Sequence, residues 1–550
     1  MPIFAAIDVG SNSCRLEIAE VVDHQLRTVA EDREVTRLGA SVFETGVISP
    51  EAMEATLEAL KRFQRTVQAH GVDRTRVVAT SAMRDARNGL AFQAWVKAET
   101  GWNLEIISGL EEGRLIHLGV MGMAAGREAG RTLLFDLGGG SCEITLSEQA
   151  HILETVSLPL GAVRLTQEFL PADPAPAEGL ARMRQFIARE LRQAQSKIKP
   201  EKIARVIATS GTAAALSEAA AVEAKVGGKP GKTPGKPNKP GKKAAGKSVG
   251  KNISKAIQAL AVSQAIVSVP EAGLVSTHEV RRLAAKLAPM TLAERSAVVG
   301  IGPRRAEIIV AGTQVFAELL ESFGLAGFRY SPLGLRDGIL AQMLAEQDAR
   351  ARVHREFEHD RWESVLATAR RYGVNPKEAE PVRAHAVQLF RELQALHELP
   401  PEYESWLAAA AILRDTGKYI NHQGHHRHTQ YIVSSSELYG YTPLQRTLVS
   451  AIARYLGKSR PQPGDRALRN IPATEHAYVH RAVVLLRLAV ALNQDRASDV
   501  LRFSAKVYPK RVYLEVEPGR TGAELELWSL RKESGYFLEV FGRELFCTLA

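Results

Sequence analysis

Along the first 340 residues the period of apolar positions switches back and forth between that of a strand and that of a helix. A short apolar run at 4–7 is followed by Leu16 and Ile18 in strand alternation. Ser49 and Pro50 then open a helix with a capping hydroxyl and a first-turn proline; Met53, Leu57, Leu60 and Val67 mark its apolar face, and Gly71 ends it. Residues 76–79 and 104–107 read as further strands, 181–198 as a helix and 205–208 as another strand. Such alternation predicts an α/β fold with a mixed sheet. It stops after Gly338. Residues from about 345 to 495 read as nearly all helix, including 383–396 and 481–492. The last fifty, with RVYLEVE, AELELWSL and YFLEVFG, alternate as short strands separated by glycine turns. At 550 residues the chain is too long for one core, and these shifts divide it into domains at 1–124, 125–344, 345–495 and 496–550.

Two strand ends in this pattern carry chemistry. The run TLLFDLGGGSCE at 132–143 is an apolar burst followed by Asp136, Gly138, Gly139, Gly140, Ser141 and Glu143. Glycines directly after a strand let backbone N–H groups approach an anion without a Cβ in the way. Asp136 and Glu143 frame the turn and suit a hard cation, which takes oxygen ligands and shares them with phosphate. A glycine-rich corner can be steric only. The same grammar, however, recurs at the N-terminus, where the strand at 4–7 leads into Asp8, Gly10, Ser11, Asn12 and Ser13. Two such turns, one subdomain apart, imply two halves facing one cleft and offering their amides to one phosphate chain. A third glycine-bearing turn, with Gly211 and Thr212, follows the strand at 205–208. The pairing resembles the acetate/sugar kinase–Hsp70–actin superfamily.

Charge adds one correction to this picture. The formal net charge of +10 looks like a nucleic-acid signature until it is mapped. Ten lysines and no acids lie between residues 225 and 255, and without them the chain is close to neutral. That Gly/Pro/Lys-rich segment cannot bury a core and is expected to be disordered, as a tolerated surface insertion or as a mobile polycationic arm. Three scattered cysteines, Cys14, Cys142 and Cys547, give neither a disulfide framework nor metal spacing, and read as packing residues in a reducing compartment. The start MPIFAAIDVG lacks the basic region of a signal peptide, and no apolar run approaches membrane-spanning length, so the expectation is cytoplasmic.

Taken in order, DVGSNS (8–13), ATSAMRDARN (79–88), ISGLEEGRL (107–115), DLGGGSCE (136–143), SLPLGAVRLT (157–166), SGT (210–212), RRAEIIVAG (304–312) and GLRDG (334–338) resemble the exopolyphosphatase / guanosine pentaphosphate phosphatase family. The likeness is dense over residues 1 to about 340. The helical region beyond is similar to the family's long form, which appends a domain related to the HD metal phosphohydrolases. The resemblance implies two actin-like subdomains around a cleft, then an all-α HD-like domain and a small β-rich C-terminal domain, in a homodimer. It implies that Glu112 activates the attacking water, that Asp136, Glu143 and Asp8 hold a divalent cation such as Mg2+, and that Gly10, Ser11, Asn12, Ser13, Gly138, Gly139, Gly140, Ser141, Gly211 and Thr212 contact phosphates. Arg84 matches an arginine pointing into the cleft to clamp a phosphate, with an ion pair to Asp85 or another acid as its structural alternative. Arg15 and Arg305 are expected to meet further phosphates or a nucleotide.

An HD site would take a histidine (His385), a His–Asp pair and a later aspartate (Asp495). Here the pair is Arg414–Asp415, and arginine is no cation ligand. The domain therefore reads as a retired metal site, with a relocated site at His422, His425, His426 and His428 as the alternative. The leading expectation is an exopolyphosphatase acting on inorganic polyphosphate. Its alternatives are hydrolysis of guanosine pentaphosphate (pppGpp), phosphoryl transfer from polyphosphate to ADP, and non-enzymatic polyanion binding; nucleic acid and membrane are not expected partners.

Overall fold

The computed structural model describes residues 1–122, 130–149, 151–199, 202–227, 273–457, 459–494, 500–519 and 522–550. Most of the lysine-rich segment, from residue 228 onward, lies outside them, as does Asp495. The chain forms two compact units, Met1–Glu356 and Phe357–Ala550.

The first unit contains two sheets that grow from the same kind of hairpin. In the first sheet, β1 (Ile3–Val9), β2 (Cys14–Val22) and β3 (Gln25–Glu34) run antiparallel, and β4 (Arg74–Ala79) and β5 (Leu104–Ile106) extend the other side in parallel, in the order β3-β2-β1-β4-β5. Phe4, Ala5, Ala6 and Ile7 are all buried, which explains a continuous apolar run in place of alternation: both faces of β1 are covered. Helix Pro50–Ala69 lays Leu57, Leu60, Phe63 and Val67 on this core, and the Ser49 hydroxyl accepts a hydrogen bond from the Ala52 amide at its start. The second sheet comprises β6 (Arg131–Leu137), β7 (Cys142–Glu148), β8 (His151–Leu158), β9 (Ile203–Thr209), β10 (Val275–Ser276) and β11 (Gly327–Tyr330), in the order β10-β11-β9-β6-β7-β8. Phe135, Phe316 and Phe328 pack at its centre, with the Phe316 ring 5.0 Å from each of the other two.

Two helices exchange sides between these sheets. Helix Gly109–Gly122 follows β5 in the chain but packs on β7 and β8, while helix Leu335–Gln347, which follows β11, packs on β1 and β2. They cross with glycines at the contact. A Cβ on Gly338 would sit 1.8 Å from the Leu115 carbonyl oxygen, and one on Gly119 would sit 2.6 Å from the Gly338 nitrogen. The sheets therefore do not own the helices that chain order assigns to them.

The second unit is a helical layer with a three-stranded sheet, built on one core that reaches from Val365 to Cys547. Helices Pro376–Glu392, Tyr403–Leu413, Pro443–Arg454 and His476–Ala491 supply most of it. Of the strands expected in the last fifty residues, RVYLEV is one: β13 (Arg511–Val516) lies between β12 (Phe503–Val507) and β14 (Glu544–Leu549). AELELWSL and YFLEVFG are not strands. They form a single helix, Glu524–Phe541, and the separate β-rich domain expected at 496–550 dissolves into the shared core. Leu527, Leu530 and Phe537 are spaced for one helical face, and Gly535, which reads as a turn, sits within the helix with nothing within 4 Å of an added Cβ.

Gly338→Ala should cost about 3 kcal/mol of unfolding free energy, because the new methyl collides with main chain that cannot move aside. Gly535→Ala should instead stabilise by about 0.5–1 kcal/mol through helix propensity alone. Urea unfolding of the two variants, compared with the native chain, checks both signs.

Candidate active site

The cleft of the first unit is made where the two hairpins meet. Gly10 N donates to Ser13 O at 3.2 Å to close the first turn, and Gly138 N donates to Ser141 O at 3.0 Å to close the second. Strand register sets Asp8 opposite Arg15 and Asp136 opposite Glu143. A Cβ on Gly139 would lie 3.0 Å from the Ser11 Cβ, and one on Gly140 would lie 2.3 Å from the Ser81 hydroxyl. Side chains at these two positions would wedge the hairpins apart. Ser11 Oγ accepts from the Ala82 amide at 3.2 Å, tying the first turn to helix Ser81–Asp85.

A cavity of about 360 Å³ opens here. Of the residues expected from sequence, it is lined by Asp8, Gly10, Ser11, Asn12, Ser13, Arg15, Glu112, Asp136, Gly138, Gly139, Gly140, Ser141, Gly211 and Arg305. Three others stand elsewhere. Arg84 is turned back from the cleft: its Nη1 donates to the Ile107 carbonyl at 2.7 Å and reaches Glu112 Oε2 at 3.4 Å. Asp85 pairs with Arg164 instead. Glu143 is buried behind the second turn, where Oε1 accepts from the Ser157 hydroxyl at 2.7 Å. Thr212 is a correction to the substrate contacts. Helix Ser210–Gly227 begins at the strand end, so Gly211 faces the cavity while Thr212 turns into the core against Gly312.

Three carboxylates, Asp8, Glu112 and Asp136, line this cavity, and Glu143 lies buried behind them. Burial pushes Asp8 up to about 6, against the pull of Arg15 and Arg336, with Asp136 adding to the rise. Burial carries Glu143 up to about 7 despite the Ser157 bond. Burial, and then the charge of Glu143, lifts Glu112 well above the carboxylate range. Asp136 is raised by burial while the Thr209 hydroxyl works against it. Asp8 Oδ1 and Glu143 Oε2 are buried acceptors that no donor meets. An unpaired buried anion is costly, so these oxygens require either a proton or a cation. The donor set is all oxygen, which fits a hard divalent ion. No three His, Cys, Asp or Glu side chains lying wholly within this unit, among the described residues, bring their donor atoms within 4.8 Å of one another. An open site, completed by water and phosphate as magnesium prefers, fits better than a closed protein cage.

Arg33, Tyr330, Arg336 and Asp337 also line the cavity and were not singled out from sequence. Arg336 and Asp337 belong to the GLRDG motif, so their signal was visible without a role. Asp337 Oδ2 accepts from the Gly334 amide at 2.7 Å, and Arg336 donates to the Leu16 carbonyl at 3.0 Å. Cys14 and Cys142 are buried thiols, Cys14 pushed up to about 12 by burial, as packing residues should be.

In the second unit, Asp415 lies beside Lys418 at 2.8 Å, the His425 imidazole at 3.6 Å and Arg414 at 3.7 Å. Burial would raise its carboxyl, yet Arg414 and Lys418 hold it below the usual range. His385 meets the Leu501 carbonyl at 3.2 Å and is kept neutral by burial, down to about 4. The His425 and His426 rings lie 3.9 Å apart, and no three donor side chains within this unit, among the described residues, gather for an ion.

Two glycine turns meeting beside buried carboxylates suit phosphoryl-transfer chemistry, and the doubled sheet with exchanged helices is the actin-like way of building such a cleft. Family comparison makes this specific. A model described as the Ppx/GppA phosphatase family matches residues 17–347, and one described as Ppx/GppA phosphatase, domain III, matches residues 361–534. The chain belongs to the Ppx/GppA phosphatase family, and it is a hydrolase of phosphoanhydride bonds. A guanosine-5'-triphosphate,3'-diphosphate pyrophosphatase from Pseudoalteromonas atlantica is 24% identical over 504 residues, covering 91% of this chain and 88% of that protein. The crystal structure of an exopolyphosphatase from Cytophaga hutchinsonii shares the fold at 24% identity, with a TM-score of 0.51 over 63% of this chain and 99% of that one. An exopolyphosphatase-like protein of known structure is 25% identical, with a TM-score of 0.51 over 62% of this chain and 96% of its own.

Carboxyls raised in the folded state bind protons that the unfolded chain has already lost. Metal-free protein should therefore lose stability as pH rises from 6.5 to 8, the window in which Glu143 and Glu112 stay partly protonated only when folded. Magnesium should reverse the trend by binding the ionised form, so its stabilisation grows with pH. Thermal midpoints in chelator and in excess magnesium, at pH 6.5, 7.2 and 8, check the sign; Glu143→Gln should flatten the chelator series.

Proposed function

We propose that this protein is an exopolyphosphatase, which removes the terminal phosphate of linear inorganic polyphosphate by direct attack of water. The observation that carries the reading is the position of Glu112. It is a buried carboxylate in the first turn of helix Gly109–Gly122, and it lines the same cavity as both glycine turns. The turns bind the terminal phosphoryl group through their amides. Glu112 accepts a hydrogen bond from the attacking water and takes its proton as the water oxygen bonds to phosphorus and the bridging P–O bond breaks, releasing phosphate and a shortened chain. Arg84 touches the Glu112 carboxylate and holds it in place. A divalent cation held by Asp8, Asp136 and Glu143 supplies positive charge against the phosphoryl oxygens when bound. Arg15 and Arg305 have no acidic partner among the described residues, which suits a polyanionic substrate.

Hydrolysis of the 5'-phosphate of pppGpp is the second reading, favoured by the Pseudoalteromonas relative that spans nearly the whole chain. The reaction is the same and only the body of the leaving group differs. A cytoplasmic homodimer belongs to both readings. No helix among the described residues is long and apolar enough to cross a membrane.

Phosphate release from long polyphosphate with magnesium should fall at least ~100-fold in Glu112→Gln, the usual worth of a positioned base, while substrate binding persists. Undiminished release would move the base elsewhere. Competition between long polyphosphate and pppGpp at equal phosphate concentration ranks the substrates, and a clear preference for pppGpp would make the second reading the first.

A further inference from the structure

We propose that Arg33 joins Arg15 and Arg305 in a second anion subsite of the cleft, which takes a phosphate group of the substrate remote from the bond being broken. The inference rests on the phosphohydrolase reading above and adds to it a residue that neither the resemblance nor the comparisons assign.

The geometry begins with strand register. Arg33 on β3 lies directly opposite Arg15 on β2. Like charges in that position repel, and a sheet gains nothing by placing them there. In the sequence EDRE at 31–34, alternation turns Asp32 and Glu34 away from Arg33, and Glu31 on the shared face is taken by Arg336 at 3.0 Å. Asp32 and Glu34 both bind Arg62, at 2.9 Å and 2.7 Å. Arg33 is left facing the cavity, with Nε and Nη2 buried and meeting no acceptor. Buried donors without partners are costly, and a guanidinium has nowhere to put its proton.

The neighbouring cations deepen the imbalance. Among the described residues, none of Arg15, Arg33, Arg304 and Arg305 has a carboxylate within ion-pair distance. Burial, then Arg15, Arg304 and Arg336, draws Arg33 down to about 10; burial, then Arg15 and Arg33, draws Arg305 down to about 9. The Arg305 guanidinium lies against Gly211, where a Cβ would come within 1.5 Å of Nη2, and both residues line the cavity. Arg336 differs, since Glu31 at 3.0 Å satisfies it.

In one cavity, therefore, Asp8 and Asp136 act on Arg15 and Arg305, while the buried Arg33 donors are left with no acceptor. Phosphate matches these donors in charge and in the planar, bidentate geometry of arginine. The ligand class is a polyphosphorylated anion. Either the inner phosphates of an inorganic chain or the additional phosphates of a nucleotide carry that chemistry, whereas a simple phosphomonoester would leave the subsite empty.

Arg33→Ala and Arg33→Lys in the full chain test this with three readouts. Tripolyphosphate binding by calorimetry should weaken about tenfold or more in Arg33→Ala, the worth of one charge-assisted contact, and recover in part in Arg33→Lys. The salt dependence of kcat/KM should lose about one unit of log–log slope. The ligand-free Arg33→Ala protein should melt at a higher temperature than the native chain, because repulsion is relieved; an arginine serving the scaffold would lower it. A raised KM for both long polyphosphate and pppGpp supports a subsite common to the two, and a rise for one alone assigns it to that substrate. Unchanged tripolyphosphate affinity with an unchanged salt slope overturns the proposal, as does a native protein that binds no tripolyphosphate. Native protein that binds tripolyphosphate but hydrolyses neither substrate defeats the phosphohydrolase reading, and the variants' affinities still decide the subsite.

Discussion

Charge separation inside one water-poor cavity is the constraint on which the rest of this structure turns. Asp8, Glu112 and Asp136 line the cavity with Glu143 behind them, burial raises all four, and Arg15, Arg33 and Arg305 line the same cavity. Neither set is stable as it stands. Local contacts do little to relieve it: Ser157, Thr209 and Arg84 each satisfy part of one carboxylate, and two buried oxygens still have no donor. Strain of this kind persists only where the surrounding fold over-determines it. The missing charges are a cation for the carboxylates and a polyanion for the arginines, which is the composition of a metal–phosphate complex.

What over-determines it is main-chain packing. The glycine turns approach until Gly139 meets Ser11 and Gly140 meets Ser81, and Gly161 packs on Gly140 so closely that a Cβ would lie 2.2 Å from its carbonyl carbon. Backbone this close cannot relax away from an unfavourable charge. Strand pairing then dictates which residues face each other. Arg15 is held opposite Asp8 and opposite Arg33 at once, because β2 lies between β1 and β3.

Much of this was legible in the chain. The turns announce themselves because glycine after a buried strand has a steric meaning independent of context, and the hairpins at 8–13 and 136–143 repeat it. Glu112 required the family likeness, since an acid at a helix start is ordinary. Thr212 misled because a motif gives residue order and not the side of the helix on which each residue falls. Arg84 kept its place near the site but turned to Glu112, a choice between two anions that spacing does not encode. The error at the C-terminus was one of period. In Glu524–Phe541, polar and apolar residues alternate by chance over short windows, and Gly535 looked like a break. Burial of Leu527, Leu530 and Phe537 in the common core overrode both signals.

The polar cluster around Asp415 in the second unit is satisfied by its own side chains. With arginine at position 414, Asp415 has Lys418 at 2.8 Å and Arg414 at 3.7 Å as cationic partners. His385 is held by a carbonyl of the segment before β12, with its ring tilted against Phe503 at 6.1 Å. A buried neutral imidazole with one such bond is an ordinary core residue. The contrast with the first unit is instructive. There several buried carboxylates raise one another, and here a single carboxylate has Lys418 and Arg414 beside it. Only the first arrangement is left incomplete without a ligand, so the chemistry belongs to the cleft.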